Sequence, residues 1–301
     1  MLPSPSLSRS APFSALVLAA LALVGLAFGP PPAAAQEVVF LAGPKDHGWP
    51  GRHEYEKDLR ALAWSLENAR NLDGVTTRVH VGQAPRDLAA YEDAAVLVIN
   101  SSSDRTERET HPLFPPAPET DYHGYDEATT AFLDGLDSLI TARHIGVVVL
   151  HYATWVENWR AREAYMDWLG GMWVQIGSKN PTDTWTMAPQ NTSHPVNNGV
   201  RPWTYRDEVF CRFFLPPDPR RTDLLLGTPA ESPVGPQVAS WAYQRDDGGR
   251  GFVMGGVDFH DNLHEVEDYR RFLLNGIVWA AGMDVPASGV QAPALPPDEA
   301  D

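Results

Sequence analysis

Three short runs of almost continuous apolar residues constrain the fold more than any other feature of the sequence. They are VVFLA at Val38 to Ala42, AAVLVI at Ala94 to Ile99 and IGVVVL at Ile145 to Leu150. A more polar run of strand length, TRVHV, lies at Thr77 to Val81. Strands without alternation are buried on both faces, as in a parallel sheet that helices cover. The runs therefore predict the centre of a parallel sheet.

Amphipathic helices are predicted between these strands. Apolar residues recur at helical spacing over Tyr55 to Asn68 and again over Asp126 to Thr141. Strands that alternate with such helices are typical of an α/β fold with a doubly wound sheet and right-handed crossovers. The carboxyl ends of the four strands would then meet at one edge.

The pattern changes after residue 171, where strand-like segments follow one another without long helices. They are Glu208 to Leu215, Asp223 to Leu226, Val238 to Tyr243 and Gly251 to Val257. We expect an antiparallel extension, followed by a final amphipathic helix over Glu265 to Ala281. The Pro- and Ala-rich tail, residues 284–301, has no apolar periodicity and is predicted to be disordered. The α/β domain is thus expected to span residues 36–283.

The N-terminal 35 residues resemble a signal peptide. Arg9 is their only charge, an apolar stretch runs from Phe13 to Phe28, and an Ala33-x-Ala35 site follows. Cleavage after Ala35 would give a periplasmic or secreted protein with no membrane segment. The alternative is an uncleaved anchor, because the stretch is only slightly shorter than the roughly 20 residues that span a bilayer.

The net charge limits the class of ligand, and the cysteine content limits the covalent chemistry. The net charge is −16, and loss of Arg9 with the signal peptide would make it one unit more negative. Such a surface repels nucleic acid and anionic membranes, so a small neutral or cationic ligand is expected. Cys211 is the only cysteine, which excludes an intramolecular disulfide. Its place in a candidate strand favours a buried structural thiol over a nucleophile.

Histidines and carboxylates follow several of the predicted strands. His47 and His53 come after the first, His151 directly follows the fourth, and Asp258 and His260 end a late one. Each has a structural alternative, such as a helix-capping loop, a buried core histidine or a surface turn. Ligands in open α/β sheets bind beyond the carboxyl ends of the strands, so the convergence favours a functional site.

Most common catalytic motifs are absent, including GxSxG, HExxH, the P-loop, CxxC and GxGxxG. The remaining chemistry is histidine with carboxylate. Such groups serve as general acid and base near neutral pH or as ligands of a divalent metal, the one cofactor that these residue types favour. Several tryptophans could stack on sugar rings, although most are expected in the core.

The motifs also resemble a known family. They are VVVLHYAT at 147–154, GGMW at 170–173, HPVNNGV at 194–200, RDEVF at 206–210, GRGFVMGGVDFH at 249–260 and YRRFLLNGIVWAAG at 269–282. Their order and spacing resemble the trehalose-utilisation, ThuA-like, family across residues 37–282. The resemblance implies a flavodoxin-like fold similar to class I glutamine amidotransferases, with helices on both faces of the sheet.

The resemblance also implies carbohydrate metabolism, with a sugar or an oxidised 3-keto glycoside as the small-molecule substrate. The amidotransferase cysteine is replaced by His151, which removes thiol-based amide hydrolysis. Family-like positions are His151, the pair Asp207 and Glu208, and His260. With His47 and His53, these six residues form the predicted catalytic set, Asp207 binding sugar hydroxyls or orienting a histidine. A non-catalytic sugar-binding module on the same fold is the competing hypothesis.

Overall fold

A computed structural model describes residues 36–117 and 125–296 of the chain. The predicted signal peptide, residues 1–35, lies outside the described residues, as does the end of the predicted tail, residues 297–301. A nine-stranded mixed sheet runs through the described part. Within that part, no helix is long and apolar enough to cross a membrane.

The parallel half of the sheet contains the four strands predicted from the first half of the sequence. In spatial order its strands are β2 (Val75–Val81), β1 (Gln36–Ala42), β3 (Ala94–Asn100), β4 (Gly146–Leu150) and β9 (Arg250–Met254). The strands β1, β3 and β4 are almost entirely buried, whereas β2 is an edge strand and mostly half-buried. Edge position explains why only β2 lacks a continuous apolar run, and the prediction of a parallel sheet is confirmed.

Helices cover both faces of this half. The helices α1 (Tyr55–Glu67) and α5 (Glu267–Ala280) pack on one face, and α2 (Glu127–Arg143) and α3 (Trp159–Leu169) on the other. Successive strand residues point to opposite faces, so Phe40 joins one core and Leu41 the other. A short helix, α4 (Asp261–Glu265), precedes α5. The sequence pattern predicted α1, α2 and α5 but missed α3.

An antiparallel extension continues the sheet beyond β9. Its strands, in spatial order, are β8 (Gln237–Gln244), β7 (Arg221–Pro229), β5 (Thr182–Pro189) and β6 (Trp203–Glu208). Each of them is antiparallel to its neighbours, as the sequence analysis expects for this region. The apolar pattern had not indicated β5, whose exposed positions carry threonines rather than charges.

The expected strand from Glu208 to Leu215 is wrong. Strand β6 ends at Glu208, and the chain then continues irregularly with Arg212 in the left-handed region, at a φ of 52°. The run is apolar because Val209, Phe210 and Cys211 are buried, not because it belongs to the sheet. Burial raises the pKa of the Cys211 thiol to about 12, which suits a structural thiol.

The expected disorder of the tail is also wrong for its described part, residues 284–296. Val285 and Val290 are buried and join the core formed by α1 and α5. The side chain of Asn275 in α5 accepts a hydrogen bond from the Val290 amide. The sequence pattern missed this packing because an irregular segment anchored by two isolated valines has no periodicity.

Candidate active site

Four side chains converge beyond the carboxyl ends of the parallel strands. His53 lies in the loop after β1, His151 directly follows β4, and Asp258 lies in the loop after β9. Glu208, the last residue of β6, completes the cluster from the antiparallel extension. Three of the four belong to the predicted catalytic set, and Asp258 is the addition. The cluster lies where open α/β sheets bind their ligands.

The donor atoms of the cluster are close together. His53 Nε2 lies 3.4 Å from Asp258 Oδ1 and 3.8 Å from Glu208 Oε2. His151 Nε2 lies 3.9 Å from Glu208 Oε2 and 4.0 Å from Asp258 Oδ1. One donor atom of each residue lies within 4.8 Å of every other. Two imidazole nitrogens and two carboxylate oxygens form a donor set that divalent zinc and related ions accept.

Two of these donor atoms are buried without a hydrogen-bond partner. They are His151 Nε2 and Asp258 Oδ1, and both side chains are completely buried. A buried polar atom without a partner costs about 1–3 kcal/mol, so such atoms are rare in folded proteins. A cation between them would satisfy both. Because two of the four donor atoms lack a partner, we conclude that these residues fit a divalent metal.

The position of His151 is determined by its other ring nitrogen. Its Nδ1 lies 3.3 Å from the carbonyl oxygen of Gly255, which can only accept, so Nδ1 donates. Burial lowers the pKa of His151 to about 3, and the ring is therefore neutral. Nε2 then carries the lone pair that faces the cluster. This carbonyl–imidazole arrangement is the usual support of a metal-bound histidine.

His53 is supported in a similar way. Its Nδ1 lies 3.3 Å from the hydroxyl of Tyr55, which is itself 3.1 Å from the hydroxyl of Ser102. Burial, with a contribution from the neighbouring His151, lowers the pKa of His53 to about 3. Both histidines adopt left-handed backbone conformations, with φ of 54° for His53 and 49° for His151. Such strain persists only where the surroundings fix it, and it concentrates at functional sites.

Arg52 holds one oxygen of each carboxylate: Asp258 Oδ2, and Glu208 Oε2, which is also the Glu208 oxygen nearest the two histidines. Its Nε donates to Asp258 Oδ2 at 2.6 Å, and its Nη2 lies 3.2 Å from Glu208 Oε2. Asp258 therefore turns its other oxygen, Oδ1, towards the histidines. Glu208 Oε1 accepts from Asn180 at 3.0 Å. The sequence gives no signal for Arg52, because its partner Asp258 is 206 residues away along the chain.

Glu208 has a strongly perturbed carboxyl group. Burial and the nearby Asp258 raise its pKa to about 7, against the opposing attraction of Arg52. A cluster with two neighbouring carboxylates is strained electrostatically without a cation, since like charges disfavour each other's ionised form. Perturbed acids of this kind are typical of functional sites.

Asp207 binds backbone amides, which matches neither of its two predicted roles, binding sugar hydroxyls or orienting a histidine. Its side chain is completely buried and accepts hydrogen bonds from the backbone amides of Val257, Asp258 and Phe259, at 3.1–3.3 Å. Burial and the neighbouring Asp258 raise the pKa of Asp207 well above its usual value. Successive residues of a strand point to opposite sides, which separates Asp207 from Glu208.

His47 lies beside the cluster and is partly exposed. Its ring packs against that of His53 at a tilt of 35°, with centroids 4.0 Å apart, and lies 5.5 Å from the ring of Tyr152. His47 Nδ1 is 2.5 Å from Asp46 Oδ1, and this hydrogen bond raises the pKa of His47. The structure thus places His47 next to a ligand residue as half of an Asp–His pair, not among the four donors.

His260 lies outside the four-residue cluster. Its Nδ1 is 2.7 Å from Asp58 Oδ1, and its Nε2 is 3.3 Å from Nε2 of His264. Asp58 is completely buried in α1, and burial raises its pKa to about 6. The six predicted residues therefore divide: His53, His151 and Glu208 belong to the cluster, His47 packs beside it, and Asp207 and His260 bind other groups.

Comparison with known proteins supports the fold. No protein-family model matches the sequence, and no curated protein matches it. Among solved structures, the chain is similar to a ThuA-like protein from Bacteroides uniformis, with a TM-score of 0.53 and 13% identity over 86% of this chain and 97% of that one. The similarity shows a shared fold.

Two further structures are similar. The carbohydrate deacetylase Agd3 gives a TM-score of 0.52 at 11% identity, over 83% of this chain. The match spans about a third of that longer protein, 33% of its chain. A glutamine amidotransferase from Thermotoga maritima gives a TM-score of 0.39 at 10% identity, over 82% of this chain and 96% of that one.

Proposed function

We propose that this chain is an exported enzyme of the ThuA-like family that acts on a sugar or an oxidised 3-keto glycoside. Its active site would hold a divalent cation through His53, His151, Glu208 and Asp258. The order of the parallel strands, 2-1-3-4-9, with helices on both faces, supports a flavodoxin-like fold of the kind that this family implies.

The single observation that carries the proposal is the pair of buried atoms without partners. His151 Nε2 and Asp258 Oδ1 lie 4.0 Å apart in a cluster whose other two donors are equally close. A site for acid–base catalysis alone would not require all four donors to face one point. A divalent cation bound there supplies a Lewis acid that polarises a carbonyl or hydroxyl oxygen.

A side chain of the protein, His47, would transfer the proton to or from the substrate. His47 donates through Nδ1 to the Asp46 carboxylate, which leaves Nε2 to exchange a proton with a ligand. The hydrogen bond to Asp46 raises the pKa of His47, which favours the protonated ring as a general acid, and histidine suits the proton transfers of enolisation or elimination next to a keto group. Its partial exposure, 42% of the side chain, makes it accessible from solvent, unlike His53 and His151.

The carbohydrate substrate is supported by three observations. The fold is similar to that of a ThuA-like protein and to part of a carbohydrate deacetylase. The loop between His47 and His53 exposes 73% of Trp49, an indole suited to stacking on a sugar ring. The acidic chain favours neutral ligands over nucleic acid or anionic membranes.

Metal analysis with a substrate screen tests the proposal. The purified protein, and a sample reloaded with zinc or manganese after chelation, are assayed on oxidised and unmodified disaccharides. We expect about one equivalent of metal and turnover that chelation abolishes. A protein that binds no divalent metal contradicts the metal site. Saturable sugar binding without product would instead identify a sugar-binding module.

A further inference from the structure

We propose that Asp207 is a positioning residue that fixes the metal ligand Asp258 by clamping a strained turn. The inference rests on the metal site proposed above. Asp207 is not one of the four cluster residues, and its completely buried carboxyl group accepts from three backbone amides. Its effect on the site would therefore pass through Asp258.

The turn between β9 and Asp258 contains a strained residue. Val257 has a φ of 94°, a conformation that β-branched residues almost never adopt. Its neighbour Gly256 cannot carry a side chain, since a Cβ there would lie 2.6 Å from the Tyr205 hydroxyl and 3.0 Å from Asp207 Oδ2. The chain thus turns sharply around the Asp207 carboxylate. Because the backbone at Val257 is strained, other contacts must stabilise this turn.

The Asp207 carboxylate holds this turn through three successive amides. Oδ2 accepts from Val257 at 3.2 Å, and Oδ1 accepts from Asp258 at 3.1 Å and from Phe259 at 3.3 Å. The three bonds fix the backbone on both sides of Asp258, and the strain at Val257 persists because this clamp opposes it.

The clamp and the cluster are linked through adjacent residues of one strand. Asp207 and Glu208 end β6 and point to opposite sides. Glu208 is thus a proposed metal ligand, and Asp207 holds the turn that carries another, Asp258. On the side chain of Asp258, Arg52 fixes Oδ2. With the backbone held by Asp207 and Oδ2 held by Arg52, Oδ1 has one direction left, towards the histidines.

The matched control is Asp183, the cross-strand partner of Asp207 in β5. It is also a buried carboxylate that accepts three backbone amides, from Thr184, Glu231 and Ser232. None of those amides belongs to a residue of the cluster. Asp183→Asn therefore reproduces the loss of a buried carboxylate clamp without touching the turn that carries Asp258.

The experiment measures zinc affinity by competition with a chromophoric chelator in the wild type, Asp207→Asn and Asp183→Asn. The amide nitrogen of asparagine cannot accept, so Asp207→Asn loses at least one of the three bonds. We expect zinc affinity to fall about 10- to 100-fold, the usual effect of losing an outer partner of a ligand. Asp183→Asn should bind zinc like the wild type. Equal affinities in the wild type and Asp207→Asn would overturn the proposal.

A second variant distinguishes the effect of backbone strain at Val257 from a general failure to fold. Glycine adopts positive φ freely, so Asp207→Asn/Val257→Gly should recover part of the lost affinity, or recover folded protein if Asp207→Asn alone cannot be purified. No recovery would overturn the strained-turn explanation. A wild type that binds no zinc contradicts the proposed function instead. In that case a crystal structure of metal-free Asp207→Asn tests whether Asp207 holds the turn. A Val257 φ that stays near 94° would refute this role.

Discussion

Replacing Glu208 with glutamine should stabilise the metal-free protein and remove most of the stabilisation that zinc gives the wild type. Burial and the neighbouring Asp258 raise the pKa of Glu208 from 4.5 to about 7, a value that already contains the opposing attraction of Arg52. The folded protein therefore binds the Glu208 proton more tightly than the unfolded chain does. This contribution favours folding at low pH and is lost as the pH rises from 4.5 to about 7.

The magnitude follows from the shift. At 1.36 kcal/mol per pKa unit, keeping Glu208 ionised in the folded state costs about 3 kcal/mol at pH 8. Glutamine is never ionised, so Glu208→Gln should raise the free energy of unfolding by about 2–3 kcal/mol at pH 8 with a chelator present. At pH 4 the two proteins should be nearly equal. With zinc at 100 times its dissociation constant, the wild type gains about 2.7 kcal/mol, and the variant loses most of that gain.

Urea unfolding followed by circular dichroism measures these free energies at pH 4 and pH 8, with chelator or with zinc. Glu109→Gln is the matched control, since Glu109 is also a mostly buried glutamate, held by Ser103, Arg105 and Tyr152. It should be destabilised in both conditions. If Glu208→Gln is no more stable than the wild type with chelator at pH 8, then the electrostatic strain that we attribute to the cluster does not exist.

Four further variants test the site and the tail. His151→Ala should abolish both zinc binding and turnover, measured by metal analysis and by a keto-sugar assay; unchanged turnover would remove His151 from catalysis. Trp49→Ala should raise KM for disaccharides several-fold with kcat unchanged, whereas Trp159→Ala, which removes an indole that is 52% exposed on α3, should alter neither. Val290→Ala should lower the free energy of unfolding by about 1.5–2 kcal/mol because it removes two buried methyl groups, and a change below 0.5 kcal/mol would show that the tail does not pack as described.

The parallel half of the fold could be predicted because its signal is local. Each buried strand is an apolar run, and each of the predicted helices carries a stripe at helical spacing, so a window of a dozen residues suffices. The same reasoning failed at Glu208 to Leu215, where Val209, Phe210 and Cys211 are buried outside any strand and so give an apolar run. It also failed at the tail, where two isolated valines anchor an irregular segment.

The candidate site could be predicted only in part. Strand ends indicated His53 and His151, since any residue there is brought to the ligand-binding edge. The sequence could not distinguish Glu208 from Asp207, because which of two adjacent strand residues faces the pocket depends on how β6 pairs with β5. His260 was misplaced for a related reason: it follows Asp258 by two residues, but the turn sends it to Asp58 instead.

Arg52 explains how two carboxylates can face each other before a cation arrives. Without it, Glu208 and Asp258 would carry two negative charges next to two neutral histidines, in a largely buried site. The guanidinium binds Asp258 Oδ2 and Glu208 Oε2 and, with both carboxylates ionised, reduces the net charge of the group to −1, while leaving Asp258 Oδ1 without a hydrogen-bond partner. A divalent cation would then bring the net charge to +1. A centre of that charge attracts electron density on a ligand oxygen, which is what polarising a sugar carbonyl or hydroxyl requires.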